Sequence, residues 1–160
     1  WTVTSATGRR AGCTSSPDRI VQPHIITHMA QTIKGTFDIK STPLAPEPST
    51  EAIGAGRMRF DKTFHGDLQG TSVVEMLGIM DRATASGGYV AMERFTGDVL
   101  GKKGSFCMQH SSTMKRGVPE QRITIVPDSG TDELKDLSGS MVIDIVEKRH
   151  HYTFELEFGT

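Results

Sequence analysis

Residues 92–131 read MERFTGDVLGKKGSFCMQHSSTMKRGVPEQRITIVPDSGT, and this stretch decides the fold. Apolar and polar residues alternate in runs of strand length, interrupted at Gly97 to Gly101 and at Lys115-Arg116, and closed by Pro127. A period of two marks a strand with one buried face, and glycine and proline punctuate the turns between such strands. The stretch therefore predicts the end of one strand near 88–97, a second near 103–113 and a third near 120–127.

The same alternation extends in both directions. Upstream, strands are expected near 32–41, 56–66 and 70–80. The first has Ile33, Phe37 and Ile39 on one face, and the second has Met58, Phe60 and Phe64 opposite Arg57, Arg59, Asp61 and His65. The segment between them, with prolines at 43, 46 and 48, reads as a loop because proline cannot serve a central ladder. Downstream, Thr131 reads as the N-cap of a short helical turn over 132–137, with acids in its first turn where the helix dipole favours them. Two more strands follow, near 139–147 and 149–158, with His150-His151 at or beside their hairpin turn.

Eight antiparallel strands with mostly short connections suit an all-β, up-and-down barrel with one short helical turn. Closure of such a barrel removes exposed sheet edges. A two-sheet sandwich gives the same local pattern and is the alternative. The interior of an eight-stranded barrel is either filled by side chains or holds one small ligand, and the functional question turns on that choice.

The chain has 160 residues and a formal charge of −1, the length of one domain with a core of its own. Residues 1–28 are rich in Ser, Thr, Pro and Arg and lack a sustained period. They are expected to be an appended or disordered leader ahead of a single barrel domain over 29–160. No apolar run reaches the roughly 18 residues of a membrane helix, and no basic stripe marks a nucleic-acid surface. Cys107 is the one cysteine of the expected domain and Cys13 falls in the leader, a usage that fits a reducing cytoplasm.

Two ionisable residues stand among apolar neighbours. On the fourth strand Glu93 shares a face with Tyr89, Ala91 and Phe95, and on the fifth His110 shares one with Phe106 and Met108. Facing inward, Glu93 would be desolvated, its pKa raised, and suited to donate or accept a proton. Brought together, Glu93 and His110 would form a carboxylate–imidazole couple, the catalytic candidates, with Tyr89, Phe95, Phe106 and Met108 as the ligand-binding wall. The plainer alternative has Glu93 pair with an interior arginine or accept tyrosine and backbone hydrogen bonds, and makes His110 a core residue that donates to a carbonyl. Glu75, on the face of Val73, Leu77 and Ile79, is a further ligand-binding candidate.

Metal and cofactor motifs are not found. Cys107 and His110 are three apart on a strand and point to opposite faces. Gly101-Lys102-Lys103-Gly104 lacks the spacing of a phosphate loop, no dinucleotide fingerprint is present, and the serines lack a nucleophile elbow.

Phe64 to Ser72, Glu93 to Gly97, Gly104 to Phe106 with Gln109-His110, and Pro127 to Leu137 carry a resemblance to a known group. Over about 32–158 the chain resembles a bacterial domain family of unknown function whose barrel is like that of allene oxide cyclase. The plant cyclase holds a reactive lipid epoxide in its barrel cavity without metal or cofactor. Fold does not fix reaction, so the resemblance implies only a barrel with an apolar cavity and a few polar groups. Three readings stay open. The first is a cofactor-free isomerase, cyclase or lyase acting on a small, largely apolar molecule. The second is a carrier or sensor of such a molecule, and the third is a packed barrel serving interaction or homo-oligomerisation.

Overall fold

A computed structural model describes residues 30–159. The strands are β1 (Gln31–Pro43), β2 (Gly56–Gly66), β3 (Leu68–Asp81), β4 (Ser86–Val99), β5 (Lys102–Lys115), β6 (Val118–Ile125), β7 (Ser138–Val146) and β8 (Arg149–Glu157). They close into one barrel in sequence order, every neighbour antiparallel, with β1 paired to β8. The expected up-and-down barrel is therefore the observed architecture. The expected leader, with Cys13, His24 and His28, lies outside the described residues. No helix among the described residues is long and apolar enough to cross a membrane.

The two ends of the barrel differ. Toward the end where β4 finishes and β5 begins, the interior is solid. Phe64, Phe95, Phe106, Tyr152 and Phe154 are buried, and their rings pack 5.1–6.0 Å apart, tilted or edge to face, as aromatic quadrupoles prefer. The Tyr152 hydroxyl accepts from the Leu68 amide at 2.9 Å, so its polar atom is satisfied inside the core. Gly70, Gly97 and Gly104 lie side by side on β3, β4 and β5. A Cβ on Gly97 would fall 2.8 Å from the Phe95 ring and strike the Gln69 carbonyl, so the bare backbone is what admits the ring.

Where β6 ends, the chain folds back over β5. Thr131 donates its amide to the Ser105 carbonyl, and a single 3-10 turn (Asp132–Leu134) inserts Leu134 as a plug. The expected helical turn is present in this tighter form. Thr131 is its N-cap residue but makes no side-chain cap bond. Its hydroxyl instead receives the Ser105 amide at 3.0 Å.

Three further differences from the sequence reading have local causes. The proline-rich loop contains one short helix, α1 (Pro48–Ala52), where Pro48 occupies the first turn and needs no amide partner. The β7–β8 turn falls at Glu147-Lys148, both at positive φ, which leaves His150 and His151 within β8. Finally, β6 and β7 pair only at Ile123 with Met141 and Thr124 with Ser140. Beyond these pairs the wall parts toward the open end, and the Gln121 side chain accepts from the Ile143 amide at 3.1 Å.

Candidate functional site

The alternation of β2 through β5 carries one polar side chain from each strand into the middle of the barrel. These are Lys62, Ser72, Glu93 and His110, all buried. Lys62 is the register partner of Ser72, Val74 that of Glu93, and Ala91 that of His110. The four groups thus step diagonally across four adjacent strands and converge on one carboxylate. Lys62 Nζ donates to Glu93 Oε2 at 2.7 Å, and Ser72 Oγ donates to Oε1 at 2.5 Å. His110 Nε2 sits 2.8 Å from Oε2. Its N–H axis does not point at that oxygen, so it is a close charge contact with no aligned hydrogen-bond partner.

The electrostatics follow from this geometry. Burial alone would push the Glu93 carboxyl upward. The His110 contact and the Lys62 ammonium oppose burial and prevail, holding the carboxyl down at about 2, below its ordinary 4.5. The expected couple of Glu93 and His110 is therefore brought together, but with Glu93 an anion at neutral pH rather than a proton donor of raised pKa. The missing element in the sequence reading was Lys62. Its ammonium also lies over the Phe37 and Phe64 rings, at 4.9 and 5.8 Å from their centroids, a favourable placement for a desolvated cation.

On the open side of this polar layer the interior is hollow. A cavity of about 420 Å³ is lined by residues that include Met58, Met76, Tyr89, Ser112 and Met114, with Arg57 and Arg82 also in its lining. Ser112 is the last inward residue on β5 before His110, one step of roughly 7 Å along the strand. The cavity floor therefore lies immediately above the charged groups. Flexible thioethers give such a wall the ability to fit irregular apolar shapes.

The expected wall residues are divided by the polar layer. Tyr89 lines the cavity. Phe95, Phe106 and Met108 lie on the solid side as fully buried core. Glu75 is outside the barrel altogether. Inward residues on β3 are the even-numbered ones, Leu68, Ser72 and Val74, and Glu75 instead pairs with Arg57 on the outer face. His65 is exposed beside Asp38, and Cys107 faces outward against Arg94. Among the described residues no three His, Cys, Asp or Glu side chains are grouped to hold a metal ion.

Lys62 and Ser72 had a legible signal. Lys62 stands between Phe60 and Phe64 in the alternation, and parity alone assigns it to their face. The cavity methionines of β2 and β3 obey the same rule.

Residues 33–156 match the model of a family described as protein of unknown function, DUF3224. Among solved structures, a protein of unknown function from the DUF3224 family of Shewanella oneidensis MR-1, determined at 1.84 Å, is similar to this chain. The TM-score is 0.75 and the sequence identity 38%, over 82% of this chain and 100% of that one. No curated protein matches the chain.

Proposed function

The chain belongs to the DUF3224 family, whose description carries no activity, and from that premise we propose that its barrel binds a small, largely apolar molecule in the open end. The observation that carries this reading is the contrast between the two halves of the interior. One half is packed with buried apolar side chains, whereas the other keeps a cavity of about 420 Å³ walled mainly by methionines, glycines and Tyr89, with Arg57 and Arg82 also in its lining. That volume falls in the range of roughly 300–1,000 Å³ occupied by small-ligand sites. Ser112, Tyr89, Arg57 and Arg82 supply the few polar groups that fix orientation.

Native and denaturing mass spectra of the purified full chain test the proposal, together with titration by a neutral apolar fluorophore. A mass released on denaturation, or micromolar fluorophore binding that weakens about tenfold or more in Met76→Trp, supports a ligand site. A clean apo mass with no fluorophore binding would sink it.

A second reading adds chemistry to the same cavity, with His110 as a proton carrier and ionised Glu93 stabilising its charged form. It is favoured by the buried His110 Nε2, which lacks an aligned partner one step below the cavity floor. Such a site would perform cofactor-free isomerisation, cyclisation or elimination. Once a turnover is found, His110→Ala should lower it by about 10²–10⁴. A wild-type rate in that variant would leave the carrier reading alone.

A further inference from the structure

The lining of the open-end cavity is uneven in charge. Met58 and Met76 are register partners beside the polar layer, since Met76 faces Ala91 and Ala91 faces His110 across the strands. Met80 and Met114 flank Gly87 in a second row nearer the rim. From Met76 to Met80 the apolar lining runs about 13 Å along β3. Past that row stands Arg82, in the turn between β3 and β4.

Among the described residues two arginines border the cavity and no Asp or Glu does. Arg57 is already held between Glu47 and Glu75, so its charge is compensated. The Arg82 guanidinium has no ion pair or hydrogen bond among the described residues. The carboxylate of its neighbour Asp81 is taken up by the turn, accepting from the Ala83 amide at 2.9 Å and the Thr84 hydroxyl at 2.8 Å. The groove that opens from the cavity over Gly78, Ile79, Gly88, Tyr89 and Ser112 adds one acid and one base, Glu120 and Arg122, and leaves the balance unchanged. The turn is also anchored. The Gly117 amide donates to the Ala85 carbonyl at 2.8 Å and the Arg116 amide to Ser86 Oγ at 3.0 Å, so the β5–β6 turn ties the β3–β4 turn to the rim.

We propose that the molecule bound in the open end carries one anionic head, a carboxylate or a phosphate, which meets Arg82 at the rim while its apolar body lies among the methionines. The proposal rests on the binding reading above and gives it a charge and a direction. A guanidinium offers paired N–H donors that match two oxygens of a carboxylate or phosphate. Beside apolar walls its field is screened less than in open water. A cationic head would be repelled by Arg82 and would find no acid on the cavity wall, and a neutral head would gain nothing from the charge. The floor does not compete for the head, because the Lys62 ammonium there is already paired with Glu93.

Isothermal titration calorimetry of the full chain at neutral pH tests this with probes of one chain length: decanoate, decyl phosphate, decanol and decyltrimethylammonium. Decanoate or decyl phosphate should bind about tenfold or more tighter than decanol, the tighter of the two identifying the head, and the ammonium should bind weakest. Arg82→Gln should abolish the preference for the anion and leave decanol binding as in the wild type. Arg59→Gln, on the outer face beside Asp61, should change neither. Equal binding of anion and alcohol by the wild type, a preference that survives in Arg82→Gln, or a loss shared equally by both probes in that variant overturns the anionic head and leaves the apolar site standing. No binding of any probe overturns the site and the head together.

Discussion

At the scale of single residues, the barrel is organised around one carboxylate. Glu93 has no exposed side-chain surface, and its charge is tolerated because Lys62, Ser72 and His110 surround it. Glu93→Gln would leave the Lys62 ammonium buried without a counter-ion, a change that typically costs about 3–5 kcal/mol. Replacing both partners, as in Lys62→Met with Glu93→Leu, removes the charge and its penalty together. Urea unfolding at neutral pH should therefore find the double variant more stable than Glu93→Gln. The reverse order would show that the pair is not the source of the effect. The folded carboxyl sits at about 2, against 4.5 ordinarily, so its contribution is complete above about pH 4.5 and fades as pH falls toward 2. The difference corresponds to roughly 3 kcal/mol. Wild-type stability should drop across that window, and Glu93→Gln should lack this part of the drop. Glu93 and His110 were legible as sharing the parity of their aromatic neighbours, but which face of those strands turns inward was not, since neither face is cleanly polar. Lys62 followed the same parity and was obscured only by the general tendency of lysine to sit in water.

At the scale of elements, the alternation located every strand to within about two residues, since a buried face leaves no freedom in parity. The short helix α1 was hidden by its prolines. Its first turn is closed instead by Thr50, whose hydroxyl receives the Glu47 amide at 3.0 Å and donates to the Glu47 carbonyl at 2.9 Å. The glycines of the solid end read only as turn or strand punctuation, because the ring that needs their space comes from packing. That packing makes two glycines of β4 and its turn respond differently to the same change. Gly97→Ala places a methyl against backbone and the Phe95 ring, whereas Gly101 has open space around it and only its φ of +86° to lose. Gly97→Ala should cost about 3 kcal/mol or more by overpacking, and Gly101→Ala about 1 kcal/mol by backbone strain. Denaturation midpoints compare the two directly. Equal losses would mean that the closed end is loose enough to absorb a methyl group.

At the scale of the whole molecule, the barrel is closed but not equally strong around its circumference. β3, β4 and β5 are joined through nearly their full lengths, whereas β6 and β7 share two residue pairs at the solid end and then separate. No local pattern reports this, because pairing length is set by how the strands meet across the sheet. Strands with few cross-wall bonds open at low free energy while the rest of a fold stays intact. The Ile143 amide points across the gap and is held by the Gln121 side chain alone. Removing that acceptor in Gln121→Ala should speed exchange of the Ile143 amide by about tenfold or more, the loss expected for one hydrogen bond of roughly 1–2 kcal/mol. The amides of Glu93 and Met108, inside the long β4–β5 ladder, should be unchanged. Native-state hydrogen exchange resolves these sites separately. If Ile143 exchanged as slowly as Met108 in both proteins, the wall would be continuous in solution, and the cavity would communicate with solvent through the open end alone. Fast exchange confined to Ile143 and its neighbours would instead make the β6–β7 gap the yielding side of the cavity, where a molecule larger than the open end admits could pass.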